Sequence, residues 1–539
     1  MNTTASQHIK TQQTPNVSGE SADYDLVIIG AGPAGMTTAS TAYQQGLRVA
    51  LLDEQHKPGG QIYRAIGQTA LRDEKVLGPD YYTGRQLLSN LHQALSQSEQ
   101  QNPKDREGKK DNKRSAGKSA ELSYFPGSMV WSIEQDLTVC FSQDAHCVDD
   151  TQTDSAKGIT EQNAVGQSTV GKSSSHRFKA KKILIATGAM ERPVPFPGWT
   201  LPGVMTCGSA QILLKQSALA PKAPLVLAGS GPLLLLIAVQ LHRAGVEISA
   251  VLDTTPKGRY RKALKYLPGA LKNIPLLKKG LDLLLELKRT GIRYEEHVTE
   301  LRALSGSTKS DQIEILQDVE FSVNGQKQKL PCQTLLVHQG VVPNVQLSRS
   351  LKLEHQWNPL QQCWAPEKDV WGASSHQDIF IAGDGGGIAG AKAAEYQGKL
   401  AALKIASELG YLAGDQLTDQ AAPIKTQLHK QEAIRPFLDQ LYQPTGEFLA
   451  PADEAIVCRC EEVTAGEIRE IAAKGIAGPN QTKAFCRSGM GPCQGRMCGL
   501  TVSNLIAEVQ GKEPEQVGYY QIRSPIKPLT LEELADLAQ

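Results

Sequence analysis

One supersecondary unit is written into this sequence twice, and it decides most of what the chain can become. Asp25 to Glu54 reads DLVIIGAGPAGMTTASTAYQQGLRVALLDE, and Pro224 to Asp253 reads PLVLAGSGPLLLLIAVQLHRAGVEISAVLD. Each begins with a short apolar run suited to a buried parallel strand, then a glycine turn, a helical stretch and a second apolar run. Strand, glycine turn, helix, strand is a Rossmann-type unit, so the fold class is α/β with two dinucleotide-binding domains. A further strand, glycine-rich turn and helix follow at IFIAGDGGGIAGAKAAEYQGKLAALKIA.

In the first unit Gly30, Gly32 and Gly35 form G-x-G-x-x-G. The first glycine permits the tight turn, the second lets backbone amides approach a pyrophosphate, and the third lets helix and strand pack closely. Asp53 ends the next strand eighteen residues beyond Gly35, where a carboxylate can accept hydrogen bonds from ribose hydroxyls; Glu54 is the neighbouring candidate. The second unit has Gly229 and Gly231 but Leu234 at the third position, with Asp253 closing its second strand. Leucine there is expected to push the helix off the strand or narrow the cleft. An adenine nucleotide or NAD(P) at Gly229 and Gly231 stays open, with a degenerate or structural domain weighed above a working NAD(P)H site.

The chain has 539 residues and should divide into three or four units. Its 57 Lys and Arg nearly cancel 56 Asp and Glu, so nothing in the overall balance points to nucleic acid. Residues 1–23 read as a disordered polar tail, and no apolar run is long enough for a transmembrane segment. Residues 96–120 and 144–175 turn polar and read as disordered surface insertions. Between them SYFPGSMVWSIEQDLTVCFS suggests a small antiparallel hairpin. A lysine- and leucine-rich helical stretch follows the second unit, and QLHKQEAIRPFLDQLY, residues 427–442, reads as a helical connector.

Of ten cysteines, Cys140, Cys147, Cys207, Cys332 and Cys363 are scattered, whereas Cys458, Cys460, Cys486, Cys493 and Cys498 lie within forty-one positions. Clustering without a secretion signal argues for a metal or redox centre. Cys458 and Cys460 form C-x-C; Cys493 and Cys498 form C-x4-C within GMGPCQGRMC. Four thiolates suit the irons of a [2Fe-2S] cluster. Zinc is the rival, and the C-x-C half fits it poorly. Gly489, Gly491 and Gly495 let backbone close around the sulfurs, while Arg459, Arg487 and Arg496 bring positive charge. Thr464 to Glu467 is a capping box opening one helix, and LTVSNLIAEVQG suggests a second. No C-x-x-C or C-x4-C pair precedes residue 458, which argues against thiol–disulfide exchange. No residue stands out as a catalytic acid or base; His338 reads first as a packed histidine.

PGGQIYR (58–64), ILIATGAMERP (183–193) and IFIAGDGGG (379–387) resemble motifs of the thioredoxin-reductase-like, two-dinucleotide-binding-domain flavoproteins. The resemblance implies FAD, with Gly60 and Gln61 near the flavin or pyrophosphate. It has Thr187 and Gly188 where the chain leaves the FAD domain, and Gly383 with Asp384 at the ribitol or pyrophosphate. CRCEEVTAGEI with GMGPCQGRMC resembles the bacterioferritin-associated-ferredoxin-like (BFD-like) [2Fe-2S] domain, a small helical iron-sulfur domain, which implies Cys458, Cys460, Cys493 and Cys498 as ligands and none for Cys486. The expected FAD-binding domain is split, with one segment at 24–220 and the other at 331–410, around a nucleotide-binding domain at 221–330. A connector at 411–450, the iron-sulfur domain at 451–520 and a tail at 521–539 complete the expected order.

With GSGPLLLLIA and HQGVVPN, this combination resembles one family over nearly the whole chain. It holds the flavin and iron-sulfur subunits of opine oxidases, of hydrogen cyanide synthase (its B chain) and of proline or D-hydroxyproline dehydrogenase (its alpha chain). The resemblance implies electron relay in the company of an amino-acid-oxidase-like FAD subunit, with a small ferredoxin-like subunit as a third member and a small amine or imino acid as substrate. The chain would be cytoplasmic, with attachment to the inner membrane face through a partner open. Two other readings are a stand-alone NAD(P)H-dependent oxidoreductase and a redox-sensing or assembly protein.

Overall fold

A computed structural model describes residues 22–101, 119–144, 173–307 and 314–537. Five parallel strands build the first domain, in the spatial order Glu121–Phe125, Arg48–Leu52, Tyr24–Ile29, Ser173–Ile185, Ile379–Ile381. Leu26, Val27 and Ile28 have no exposed surface, which is why the run reads as uniformly apolar rather than alternating. The strand from Ser173 changes partner along its length: residues 173–179 pair antiparallel with Thr138–Asp144, and the later residues run parallel to Tyr24–Ile29. The antiparallel hairpin expected in SYFPGSMVWSIEQDLTVCFS is present, as Ser128–Ile133 paired with Thr138–Asp144, while the first residues of that stretch belong to a different strand. Glu121–Phe125 joins the main sheet in parallel, and the antiparallel layer is Ser128–Ile133, Thr138–Asp144 and the start of Ser173–Ile185.

The two expected insertions fall mostly on residues 102–118 and 145–172, outside the described residues. Their margins are ordered, contrary to the expectation: 96–101 complete the helix Gly84–Gln101, and 173–175 open a strand.

The second sheet is also parallel, in the order Arg293–Glu296, Ile248–Asp253, Leu225–Ser230, Thr334–Gln339, Val204–Thr206. It draws on residues either side of 221–330, and a three-stranded antiparallel layer from Thr299 to Pro331 covers it. The two chain crossings between the domains, Ala189–Glu191 and Val341–Pro343, pair as one antiparallel ribbon. The connector is helical at Gly414–Glu432, but the helix expected across 427–442 divides, restarting at Arg435–Leu441. Pro436 lacks the N–H that continuation needs and is at home in a first turn.

The cysteine region folds as a short hairpin, Ile456–Cys458 with Val463–Thr464, and helices Ala465–Ala472, Pro479–Cys486 and Gly499–Gln510. The capping box is reciprocal: Glu467 N–H donates to Thr464 Oγ1 (3.3 Å), and Thr464 N–H to Glu467 Oε2 (2.8 Å). The module does not hang on a linker. Val27, Ile183 and Ile185 of the first sheet lie in one continuous buried cluster with Leu347, Val457, Ile468, Val502 and Leu505. The last residues run back over the first domain, where Ile526 N–H donates to Trp131 O (2.9 Å) and Ser173 Oγ to Glu533 Oε1 (2.7 Å).

Candidate flavin site and cysteine centre

The first glycine turn sits at the carboxyl ends of the parallel strands, where open α/β sheets bind ligands. A methyl group added to Gly30 (φ +106°) would stand 2.5 Å from Ala186 O, and one on Gly35 would stand 1.8 Å from Gly30 O. Neither position tolerates a side chain. Gly32 meets only Gly60 Cα, at 3.9 Å, and Gly60 (φ +61°) would bring a methyl to 2.8 Å from Gly32 Cα. Two glycines thus leave a bare backbone cradle at the start of the helix Pro33–Gln44, which suits a pyrophosphate. Asp53 is buried, and its carboxylate accepts from Ala31 N–H (2.5 Å) and Gln55 N–H (2.7 Å), tying the strand end to the turn. Burial pushes its carboxyl pKa up, against those two hydrogen bonds and the Arg64 guanidinium. Glu54 is more than half exposed and ion-paired to Lys527 at 2.8 Å.

Gln61 is exposed, its amide oxygen accepting from Arg64 (3.3 Å). Its backbone is held by a residue that sequence reasoning missed. Lys215, 2% exposed, donates from Nζ to Ile62 O (2.9 Å), Gln61 O (3.4 Å) and Gln211 Oε1 (2.9 Å). No carboxylate pairs with it among the described residues, and burial lowers its pKa to about 7. Gln211 and Lys215 are one turn apart in the helix Cys207–Ser217, so this second-domain helix clamps the PGGQIYR loop of the first domain. The only sequence signal was two polar residues four apart in QILLK.

Thr187 and Gly188 lie at the crossing, with Asn344 N–H donating to Gly188 O (3.0 Å). Gly385 faces them: a methyl there would meet Gly188 O at 3.2 Å and Thr187 Oγ1 at 3.5 Å. Asp384 Oδ1 accepts from Ala389 N–H (2.9 Å) and Gly390 N–H (2.8 Å), fixing the turn ahead of the helix Ala391–Glu408. Gly383 N–H donates to Gln397 Oε1 (2.9 Å), which also accepts from Lys368 Nζ (3.0 Å). Lys368, likewise not foreseen, has its pKa lowered to about 8 by burial, against the pull of Glu432, Asp384 and Asp369.

The second glycine turn has the same backbone and different surroundings. Gly229 (φ +145°) abuts His338 O, while Gly231 looks onto His338 Nε2 and Tyr442 Cβ, 3.7 and 4.0 Å from a methyl built on it. His338 is 3% exposed and shares a 2.6 Å hydrogen bond with Glu191. Asp253 accepts from Thr255 N–H (2.8 Å) and the Tyr294 hydroxyl (2.7 Å). Leu234 is 1% exposed: the helix stands far enough from its strand to take a leucine where the first turn would not take a methyl. The carboxylate, the glycine and the turn are engaged by this chain's own residues.

In the cysteine module the four foreseen thiols fall into two hydrogen-bonded pairs, Cys458 with Cys498 and Cys460 with Cys493, and the pairs interact electrostatically. No group of three or more metal-binding side chains is gathered among the described residues. The donor chemistry nonetheless fits a thiolate-bound cluster. The Cys458 thiol is held down to about 6 by the Cys498 hydrogen bond and by backbone N–H groups of Gly489, Glu461 and Cys460. The same bond and burial push Cys498 up, and burial pushes Cys460 up, so one thiol of the first pair is set to ionise at the other's expense. Gly491 must be glycine, since a methyl would stand 2.2 Å from Cys460 Cβ, and Gly489 and Gly495 make room for the Tyr520 ring. Cys486 bonds Thr482 O (3.6 Å), apart from the four. Of the arginines, Arg487 pairs with Glu461 (2.9 Å).

Flavin-side and cysteine-side elements meet at Gln346, two residues beyond Asn344, whose Nε2 donates to the carbonyls of Cys493 and Gln494 (both 3.4 Å). Arg349, one turn further on, lies over the rings of Trp364 (5.0 Å) and Tyr519 (4.6 Å).

Comparison with known proteins agrees with this arrangement. Residues 24–398 match the pyridine nucleotide-disulphide oxidoreductase family, and 452–537 match the sarcosine oxidase A3 domain. The A chain of the opine oxidase of Rhizobium meliloti is 40% identical over 95% of this chain and 88% of its own length. The hydrogen cyanide synthase chain HcnB of Pseudomonas protegens is 30% identical over 93% and 96% respectively. The solved L-proline dehydrogenase of P. horikoshii shares the fold, with a TM-score of 0.60 at 18% identity over 95% of this chain and 79% of that one. The chain therefore belongs to the pyridine nucleotide-disulphide oxidoreductase family and, within it, to the group of flavin oxidoreductase subunits that holds the opine oxidase A chain and HcnB.

Proposed function

We propose that this chain is the electron-relaying subunit of an amino acid, imino acid or opine dehydrogenase, carrying FAD and a [2Fe-2S] cluster. The observation that carries the reading is Gln346, whose side chain ties the peptide of Cys493 to the segment that also contacts Gly188. Gly30, Gly32, Gly35 and Gly60 would admit the FAD pyrophosphate, with Asp53 and Glu54 on the adenosine side and Gln61, Thr187, Gly188, Gly383 and Asp384 toward the flavin. Cys458, Cys460, Cys493 and Cys498 would hold the cluster. When bound, a flavin accepts electrons in pairs and a [2Fe-2S] centre exchanges them singly, so the two together convert one currency to the other.

The chain's own residues have supporting tasks. Lys215 holds the Gln61 and Ile62 carbonyls, Asp384 fixes two amides before a helix, and Gln397 orients both Gly383 and Lys368. In this reading the hydride leaves the α-carbon of the amine on an amino-acid-oxidase-like FAD subunit, and onward transfer falls to a small ferredoxin-like one. The test is anaerobic purification with the co-expressed products of neighbouring genes, followed by optical spectra after adding proline, hydroxyproline, glycine or an opine. Flavin bleaching with one donor class supports the reading; flavin that stays oxidised with all of them, partner chains present, counts against it.

A further inference from the structure

The lysine- and leucine-rich stretch after the second glycine unit has no role in either cofactor site. Residues 257–289 hold ten Lys and Arg against two Asp and Glu, in a chain whose totals are 57 and 56. This one segment therefore carries a net charge of +8, and the rest of the chain is acidic. Seven of the seventeen exposed large apolar side chains among the described residues also fall here: Tyr260, Leu264, Leu271, Ile274, Leu276, Leu281 and Leu285.

The helix Ile274–Arg289 shows how the two features combine. Leu283 and Leu287 are 8% and 0% exposed and face the protein. Ile274, Leu281 and Leu285 are 61%, 55% and 41% exposed. At about 100° per residue these three, with Lys278 and Lys288, fall within about 80° of one another on the side opposite Leu283 and Leu287. A soluble helix normally presents polar residues on that side. Here it presents leucine and isoleucine edged by lysine. Of the two acids, Glu286 is taken by Arg243 (2.6 Å) and Asp282 is exposed beside this face, while of the lysines Lys279 is paired with Asp80, which leaves Lys278 and Lys288 to edge the leucines. Leu264 and Leu271, both more than half exposed, lie on the short helical turns that lead into this helix, close in sequence to Arg261, Lys262, Lys265 and Lys272.

Exposed leucines ringed by cations match a surface that lies in the interface of an anionic bilayer, burying apolar side chains to the depth of the headgroups while lysines meet lipid phosphates. No described helix is long and apolar enough to cross a membrane, so the geometry is one of seating, not spanning. We propose that residues 257–289 form a docking surface by which this chain binds an anionic lipid membrane directly, without a partner as anchor.

The experiment is vesicle flotation of the full chain, with vesicles of phosphatidylglycerol and phosphatidylcholine set against phosphatidylcholine alone. The expected result is binding to the anionic vesicles, weakened by salt, and little to the neutral ones. Leu281→Glu with Leu285→Glu should cut the bound fraction about tenfold. Both positions are exposed, so the pair should leave flavin content and melting temperature unchanged. Lys278→Glu with Lys288→Glu should reduce binding and remove much of its salt dependence. Equal binding to both vesicle types, or none to either, overturns the proposal. So does a leucine variant that floats as before, or one whose only change is loss of self-association or of a co-purifying protein, which would make the surface a protein interface.

Discussion

The two glycine turns, Gly30 to Gly35 and Gly229 to Leu234, are the same device put to different use. Both need their first glycine for the same reason: a carbonyl of the adjacent parallel strand, Ala186 O or His338 O, occupies the space of a side chain. Beyond that they diverge. The first turn faces only another glycine, Gly60, and leaves room for a ligand. The second faces His338 and Tyr442, and its terminal aspartate takes a side-chain hydroxyl, that of Tyr294, where Asp53 takes backbone N–H groups. A fingerprint therefore specifies a strand–helix junction; whether a nucleotide sits there depends on what the rest of the chain brings to its open side.

Exchanging the third residue of each turn is the sharpest way to break that comparison. Gly35→Leu places a Cβ 1.8 Å from Gly30 O and should abolish flavin binding and soluble expression, read by visible absorbance of the purified protein. The reverse exchange, Leu234→Gly, empties a core site and should cost about 3–5 kcal/mol in denaturant unfolding while flavin content stays intact. In the cysteine module, Cys493→Ser should lose the bound iron and Cys486→Ser should keep it, measured by iron analysis of anaerobically purified protein.

A smaller effect is expected beside the junction. Burial and the Arg349 charge lower the pKa of His355 to about 4 from the usual 6.5. The unfolded chain then takes up a proton between those values that the folded chain refuses, so stability is full above about pH 6.5 and is lost toward pH 4. The loss is at most about 3 kcal/mol, and His355→Gln should remove that share of the acid dependence in thermal melts. Smallest of all, Tyr294→Phe deletes one hydrogen bond to Asp253 and should cost about 1 kcal/mol, with no change in flavin content.

How much was legible follows from the range of the forces. The glycine turns, their strands and the capping box at Thr464 are written locally, and the structure has them where the sequence does. The hairpin Ser128–Ile133 with Thr138–Asp144 was legible too, but the parallel pairing of Glu121–Phe125 was not, because pattern reports strand character and not which neighbour a strand pairs with. Lys215, Lys368 and Gln346 left almost no trace: apart from Gln211, one turn from Lys215, their partners lie on other elements, most of them more than a hundred positions away. The covering of the second turn by Tyr442 was hidden for the same reason, since a connector about two hundred residues downstream supplies it.

The central claim, that this chain holds a flavin and an iron-sulfur cluster as successive stations, is tested most directly by low-temperature EPR. The sample is the anaerobic protein, co-expressed with the products of neighbouring genes and frozen after donor is added. The predicted result is flavin bleaching together with a reduced [2Fe-2S] signal of about one spin per chain, absent from Cys493→Ser. Rapid bleaching by NADH alone, with no such signal, would contradict it.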